Sequence, residues 1–300
     1  MAGLTLAIDV GGTKIAAGLA DAGGALVHTA TLPTPSGDAE AVWAVAERLI
    51  TETTAGTAVR GVGIASAGPI QLATGTVSPL NIAGWRDFPI VDRVAALVPG
   101  VPVRLGGDGL CMALGEHRHG AGRGVQSLLG IVVSTGVGGG LILDGTPYAG
   151  LSGNAGHVGH VVVELEGPSC ACGGRGCVEA IASGPRLARW AREHGWTAPA
   201  GAGPKELAEA AGAGNQVALK AFRRGATALA AMIASVAAVC ELDLAVVGGG
   251  VAKAGWLLFD PLREALHGYA RLDFLRSLRV VPAQLGDAAG LVGAAALVLP

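Results

Sequence analysis

One histidine and three cysteines in the middle of the chain must meet at a single point if they share a metal ion, and this requirement constrains the fold more than any other feature. The four residues are His160, Cys170, Cys172 and Cys177. An imidazole and three thiolates form the ligand set of a closed tetrahedral zinc site. The alternatives are a disulfide framework and chance clustering, but a disulfide framework would spread the cysteines out and would not use the histidine. The pattern predicts structural zinc within residues 157–179.

Two stretches of the chain share the pattern of an apolar strand, a glycine-rich turn and a second apolar run. Residues 4–10 and 128–133 are the strands that lead into these turns. Such a turn surrounds a phosphate with backbone N–H groups that no side chain obstructs. The predicted phosphate contacts are Gly11, Gly12, Thr13 and Lys14 in the first turn and Thr135, Gly136 and Gly138 in the second. The repeat indicates a duplicated architecture, although the first turn alone also fits an ordinary hairpin.

Two aspartates stand at the ends of predicted strands. Asp9 immediately precedes the first glycine turn, where a carboxylate holds Mg²⁺ through water. Asp108 follows the strand at 101–105 and precedes a helix, so a helix cap is its alternative role.

A third turn of Gly248, Gly249 and Gly250 follows the strand at 244–247 and lets a ligand approach the backbone closely. A simple strand-to-helix turn is the alternative there.

Apolar spacing at helical period predicts several helices outside these turns. The predicted helices cover residues 39–53, 180–192, 204–212, 216–240 and 290–299. Between the strand at 59–64 and the strand at 101–105, a loop carries Asn81 in the segment N-I-A-G-W. The sequence therefore indicates an α/β chain in which strands and helices alternate.

The sequence H-V-G-H, followed by C-A-C-G-G-R-G-C-V-E, resembles the zinc signature of the ROK family of sugar kinases and sugar-responsive repressors. Other elements that match this family occur in the expected order from residue 5 to residue 297. The resemblance implies an actin-like ATPase (ribonuclease H-like) fold with two similar domains and a cleft between them. The implied domains are residues 1–116 and 117–300, and a closing helix at about 290–300 is expected to pack back on the first domain.

The resemblance also implies roles for individual residues. Asp108 matches the catalytic base, and the turn at 248–250 resembles the adenosine-binding turn. The implied sugar contacts are Gly68, Asn81, Asp108, His157, His160 and Glu179. An Asx-turn is the alternative role of Asn81. Gly107 and Leu110 replace both asparagines of the family's N-D-x-N pattern, so we expect different sugar hydroxyls to be recognised here.

The activity implied by the resemblance is ATP-dependent phosphorylation of the 6-hydroxyl of a hexose, with Mg²⁺. Most relatives that phosphorylate glucose have glutamate at the position of His157, whereas the H-x-G-H variant is similar to that of some bacterial N-acetylmannosamine kinases. We therefore expect an amino sugar, namely kanosamine, N-acetylmannosamine or glucosamine. Kanosamine is favoured because Gly107 opens space beside C3, and plain glucose is the alternative.

Composition and charge argue against other classes of partner. A net charge of −2 gives no general attraction to nucleic acid or an anionic membrane. The longest uncharged apolar run, Gly225 to Cys240, is too short to span a bilayer. A reducing cytoplasm suits the thiolates, and a homodimer that binds a sugar and ATP is the expected assembly.

A sugar-responsive transcription factor, or a sugar sensor without activity, is the alternative from another class. Repressors of this family share the sensor domain and carry a helix-turn-helix domain ahead of the first phosphate loop. Only eight residues precede Asp9 in this sequence. The pattern therefore favours the enzyme.

Overall fold

The structure, a computed structural model of the chain, describes residues 3–199 and 201–298. The first half contains, in chain order, β1 (Leu4–Val10), β2 (Lys14–Ala20), β3 (Leu26–Pro33), α1 (Ala39–Thr54), β4 (Val59–Ser66), β5 (Ile70–Gln71), β6 (Thr76–Val77), α2 (Ile90–Leu97), β7 (Val103–Gly107) and α3 (Asp108–His119). The second half contains β8 (Leu128–Val133), β9 (Val137–Leu143), β10 (Thr146–Tyr148), α4 (Glu179–Ala182), α5 (Gly184–Glu193), α6 (Pro204–Gly212), α7 (Gln216–Cys240), β11 (Leu244–Gly248), α8 (Trp256–Tyr269), β12 (Arg279–Pro282) and α9 (Ala289–Ala296).

The two large sheets have the same strand order. It is β3-β2-β1-β4-β7 in the first half and β10-β9-β8-β11-β12 in the second. In each sheet the first three strands are antiparallel neighbours, and the last two run parallel to the central strand. The halves are therefore built on one repeated plan, as the two strand–turn–strand patterns indicated.

The register of the parallel strands in the first sheet aligns the residues of the predicted site. Val10 lies opposite Ser66, and Ser66 lies opposite Gly107. Asp9 and Asp108 therefore emerge at the same edge of the sheet, although 99 positions separate them in the sequence. Ligands of open α/β sheets bind at this edge, beyond the carboxyl ends of the parallel strands.

Helices α3 and α9 pack against each other between the two sheets. One side of the pair, which includes Cys111 and Ala294, packs on the first sheet. The other side, which includes Leu114 and Ala296, packs on the second. The two helices approach so closely at Gly293 that a β-carbon there would overlap the carbonyl of Cys111. We propose that residues 1–116 and 117–300 form two domains joined by this pair.

Glu116 is a fully buried carboxylate near the end of α3. Its Oε1 accepts the N–H of Leu285 at 2.7 Å. Its Oε2 accepts the N–H groups of Gln284 and Ala121 at 3.1 and 2.9 Å. Three donors compensate the lost hydration of the buried carboxylate. Glu116 therefore fixes the segment that enters α9 relative to α3.

The structure departs from the predicted helices in four places. The stretch at 180–192 is two helices, because Ser183 between α4 and α5 has an extended backbone. Two further helices, α2 and α8, were not predicted. The closing helix ends at Ala296, and residues 299 and 300 of its predicted range lie outside the described part of the chain.

Helix α7 is long and apolar enough to cross a membrane if length and composition alone are considered. Half of its most apolar segment, however, is buried inside the protein. Phe222, Leu229 and Ile233 belong to the large core cluster under the second sheet. The core helix of a globular domain has the same features, so the apolar face of α7 is explained by packing.

Candidate active site

Asp9 and Asp108 form a pair of carboxylates where β1 and β7 end. Burial raises the pKa of Asp9 to about 6, the negative charge of Asp108 adds to this shift, and Lys14 opposes it. Burial also raises the pKa of Asp108. Two groups oppose this shift and lower the pKa: the N–H of Gly109, which donates to Oδ1 at 2.7 Å, and the nearby His157. Two neighbouring carboxylates concentrate negative charge at this edge of the sheet, which suits a hard cation, so these donors fit Mg²⁺.

The first glycine turn is a tight hairpin between β1 and β2. The N–H of Gly11 donates to the carbonyl of Lys14 at 3.0 Å. Thr34 Oγ1 donates to the carbonyl of Gly11 at 2.7 Å and holds the turn from the side. A β-carbon on Gly12 would overlap the side-chain amide of Asn81. The predicted sugar contact Asn81 therefore lies directly against the first phosphate loop.

The second and third glycine turns lie side by side at the edge of the second sheet. Gly249 has a φ of +91°, and a β-carbon there would overlap the backbone of Val133. A β-carbon on Gly250 would lie 3.5 Å from Ser134 Oγ, and one on Gly138 would face open space. Only glycine combines this backbone conformation with such a close approach. Together the turns make a surface on which a nucleotide can lie against backbone atoms.

Glu179 joins the cysteine segment to the second glycine turn. Its Oε2 accepts the backbone N–H of Val137 at 2.9 Å, and a β-carbon on Gly136 would lie 2.6 Å from the same oxygen. Its Oε1 lies 4.0 Å from Cys170 Sγ. Glu179, a predicted sugar contact, therefore also stabilises the second glycine turn by a hydrogen bond. Sequence reasoning missed this role because residues 137 and 179 are far apart in the chain.

The structure brings the four predicted metal ligands together, with all ligand atoms within 4.8 Å of one another. Cys172 Sγ lies 3.8 Å from Cys177 Sγ, and Cys170 Sγ lies 3.8 Å from His160 Nδ1. Zinc–sulfur bonds of about 2.3 Å at tetrahedral angles separate two sulfurs by about 3.8 Å. A disulfide would require about 2.05 Å. The spacing therefore fits zinc and excludes a disulfide between Cys172 and Cys177.

Three predicted sugar contacts meet across the cleft. His157 Nδ1 lies 2.8 Å from the carbonyl oxygen of Asn154, which orients the exposed ring. A β-carbon on Gly68 would lie 3.1 Å from His157 Nε2. His157 is also near enough to Asp108 to lower the pKa of that carboxyl against the larger effect of burial. Gly68, Asp108 and His157 therefore border one space.

The two positions that depart from the N-D-x-N pattern have different surroundings. A β-carbon on Gly107 would meet only the carbonyl oxygen of Gly153, at 3.8 Å. Within residues 3–199 and 201–298, no protein group donates a hydrogen bond to that oxygen. Leu110 is buried, and its backbone packs against Gly140. Gly107 thus opens room in the cleft beside a backbone acceptor, whereas Leu110 belongs to the core.

Comparison with known proteins identifies the group to which this fold and this site belong. The model of the ROK family matches residues 5–300. The chain belongs to the ROK family. It is 34% identical to the glucokinase of Thermotoga maritima over 98% of this chain and 96% of that protein. It is 37% identical to the N-acetylmannosamine kinase of Citrobacter koseri over 98% of each.

A solved ROK family glucokinase from Streptomyces griseus, in complex with glucose and AMPPNP, matches this ROK chain with a TM-score of 0.86 and 36% identity over 99% of both chains. The predicted family, the actin-like α/β fold and the sugar-kinase class are therefore confirmed. Glucokinases and N-acetylmannosamine kinases both occur among the relatives, so family membership does not decide the sugar. The roles of the individual site residues stay predictions.

Proposed function

We propose that this ROK kinase transfers the γ-phosphoryl group of ATP to the 6-hydroxyl of an amino sugar. The supporting observation is the room beside Gly107. It is faced by the carbonyl oxygen of Gly153, to which no group in the described part of the chain donates a hydrogen bond. An ammonium group donates a charge-assisted hydrogen bond to such an oxygen, which is stronger than that of a hydroxyl. Kanosamine is the first candidate because its amino group is at C3, and N-acetylmannosamine and glucosamine follow.

Asp108 orients the 6-hydroxyl in this proposal and accepts its proton. A carboxylate is much less basic than an alkoxide, so the proton moves late in the transfer and positioning is the larger contribution. Asp9 would hold Mg²⁺, which when bound would supply positive charge to neutralise the phosphates. The glycine turns supply N–H groups to the phosphates, and closure of the cleft excludes water.

Zinc has a structural role in this proposal. Four protein ligands leave no open position on the metal. Because His160 Nδ1 faces the cysteines, a sugar contact by His160 uses Nε2. The metal therefore holds one predicted sugar contact directly, and it holds Glu179 through the adjacent cysteine segment.

Glucose is the second candidate, since glucokinases are among the relatives of this chain. A coupled ADP-release assay across glucose, mannose, glucosamine, N-acetylmannosamine and kanosamine separates the candidates. We expect the highest kcat/KM for an amino sugar, because a site built around a polar group of its substrate discriminates strongly against sugars that lack it. A kcat/KM for glucose above that of every amino sugar would overturn the preference.

Gly107→Asn tests the same proposal from the protein side. An asparagine fills the room beside the Gly153 carbonyl and restores the amide of the family pattern. We expect kcat/KM to fall for kanosamine and to rise for glucose. Equal changes for both sugars would contradict the assignment of this room to the amino group.

The same assay distinguishes an enzyme from a sugar sensor. A kinase releases ADP only when its sugar is present, whereas a sensor binds sugar without turnover. Sugar binding without ADP release for any sugar tested would contradict the proposed function. We also propose a cytoplasmic homodimer, since a reducing compartment keeps the thiolates available to the metal, and sedimentation equilibrium checks the dimer.

A further inference from the structure

We infer that Asn154 is a positioning residue that ties the loop of residues 152–157 to the first half of the chain and determines how His157 hydrogen bonds to the sugar. The inference rests on the proposed sugar contact of His157 and extends it. Asn154 itself matched no motif in the sequence. Its importance follows from its partners.

The side-chain amide of Asn154 pairs with the backbone of β5 on the opposite side of the cleft. Its Oδ1 accepts the N–H of Ile70 at 2.9 Å, and its Nδ2 donates to the carbonyl of Ile70 at 2.7 Å. The second hydrogen of Nδ2 is donated to Ser152 Oγ at 2.9 Å. The N–H of Leu72 adds a fourth bond, to the carbonyl of Ser152 at 3.0 Å. We call these four hydrogen bonds the Asn154 clasp.

Gly153 shows how closely the loop fits against β5. Its φ is +105°, and a β-carbon there would lie 2.8 to 2.9 Å from side-chain atoms of Ile70 and Leu72. The loop therefore packs closely against β5 and against Leu72, the residue that follows it. The same close packing fixes the position of the Gly153 carbonyl, which faces the room beside Gly107.

The clasp also determines the tautomer of His157. Its Nδ1 lies 2.8 Å from the carbonyl oxygen of Asn154. A carbonyl oxygen can only accept a hydrogen bond, so Nδ1 carries the hydrogen, and in the neutral ring Nε2 keeps a free lone pair. Nε2 is the nitrogen that faces the cleft beside Gly68. Neutral His157 therefore offers the sugar an acceptor, as a glutamate would, without the negative charge.

Two hydrogen-bond acceptors therefore lie on either side of Asn154 in the sequence. They are the carbonyl oxygen of Gly153 and Nε2 of His157. Both occupy fixed positions only while the clasp holds the loop against β5. The loop thus selects a ligand that presents hydrogen-bond donors at two neighbouring positions. Hydroxyl and amino groups of an amino sugar meet this requirement.

Asn154→Ala removes three of the four bonds of the clasp, and Ser152→Ala is the matched control that removes only one of the four. For Asn154→Ala we expect the KM for the sugar to rise about 10- to 100-fold, because small misplacements of binding groups are costly. The KM for ATP and the zinc content should stay close to those of the wild type, since the nucleotide turns and the cysteine cluster are elsewhere. A change of less than about twofold in the sugar KM, or an equal rise for both substrates, would overturn the inference.

Asn154→Asp keeps the test decisive if the alanine variant does not fold. Its carboxyl group still accepts the N–H of Ile70, but when ionised its second oxygen repels the carbonyl of Ile70, whereas the protonated acid donates to it. We expect the ratio of sugar KM between this variant and the wild type to approach 1 at low pH and to increase as the pH rises. A ratio that does not depend on pH would contradict the paired hydrogen bonds.

Nitrogen NMR of protein labelled with ¹⁵N-histidine provides a readout that does not depend on activity. We expect neutral His157 in the wild type to carry its hydrogen on Nδ1, and His157→Gln assigns the signal. A hydrogen on Nε2 would overturn the inference. An unchanged sugar KM in His157→Ala would overturn the proposed sugar contact itself. A raised KM in that variant together with an unchanged KM in Asn154→Ala would overturn only the role of Asn154.

Discussion

The carboxylate of Glu179 accepts the backbone N–H of Val137 at 2.9 Å, so the segment that carries the cysteines also holds the second glycine turn in place. Its other oxygen lies 4.0 Å from Cys170 Sγ. The metal cluster, the phosphate loop and the predicted sugar pocket therefore share one side chain. A change at the cluster is expected to affect both substrates.

Glu179→Ala leaves the N–H of Val137 without its acceptor. Loss of a hydrogen bond to a charged group costs about 1.5–3 kcal/mol, so we expect the KM for ATP to rise about tenfold or more, together with the KM for the sugar. Glu179→Gln keeps an oxygen for the N–H and should affect the ATP KM less. Steady-state kinetics with each substrate varied in turn measures both effects, and an unchanged ATP KM in the alanine variant would refute this support.

Removal of zinc should lower stability and sugar affinity together, because metal binding to four ligands of one segment is linked to folding. Metal analysis and Tm before and after chelation provide the measurement. Cys172→Ser should lose the metal, whereas Cys240→Ser, outside the cluster, should keep it. Less than about half an equivalent of zinc in active wild-type protein prepared without chelators would contradict the structural site.

Asp108→Asn should abolish phosphoryl transfer while ATP and sugar still bind. The amide keeps the shape of the side chain but cannot accept a proton, and loss of a positioned base costs about 10²- to 10⁴-fold in kcat. Single-turnover kinetics and calorimetric titrations separate the chemical step from binding. More than about a tenth of wild-type turnover in this variant would show that another group acts as the base.

Asp9 should make the metal-free protein less stable as the pH rises. Its pKa is about 6 in the folded protein against an ordinary value of 3.8, so between these values the folded state binds more protons than the unfolded chain. The stability present below pH 3.8 is therefore lost as the pH rises through 6. Without Mg²⁺, we expect Asp9→Asn to be more stable than the wild type by about 2 kcal/mol near neutral pH and equally stable at about pH 4.

Chemical denaturation of both proteins at a series of pH values measures this difference. Addition of Mg²⁺ should stabilise the wild type more than Asp9→Asn, since a cation compensates the buried charge. A variant that is less stable than the wild type near neutral pH in metal-free buffer would contradict the predicted electrostatics.

Gly290→Ala should disturb the active site, because Gly290 lies in α9 directly against Asp9. A β-carbon at Gly290 would overlap the carboxylate of Asp9, so we expect that carboxylate to move and kcat/KM to fall at least about tenfold. Gly268→Ala is the matched control, because a β-carbon there meets nothing within 4 Å. In the control we expect unchanged activity and a gain in stability of about 0.5–1 kcal/mol. Full activity of Gly290→Ala would contradict the close approach.

Features that depend on residues close together in the sequence were predictable. Cys170, Cys172 and Cys177 fall within eight positions, and the ligand His160 is ten positions before the first of them, so the chemistry of the metal restricts their arrangement. The strand–turn–strand repeats and α7 follow from local apolar periodicity and from the conformational freedom of glycine. Because the strand–turn–strand pattern occurs twice in the sequence, the repeated architecture of the two halves was also predictable.

Contacts between distant parts of the chain were decided only by the tertiary structure. The bonds from Asn154 to Ile70 join residues 84 positions apart, and Gly290 reaches Asp9 only because α9 returns to the first sheet. The amide of an asparagine carries no information in the sequence about which backbone group it will meet. Strand register and the packing of α3 with α9 bring these partners together, because burial of apolar faces determines the positions of the helices and the polar groups follow them.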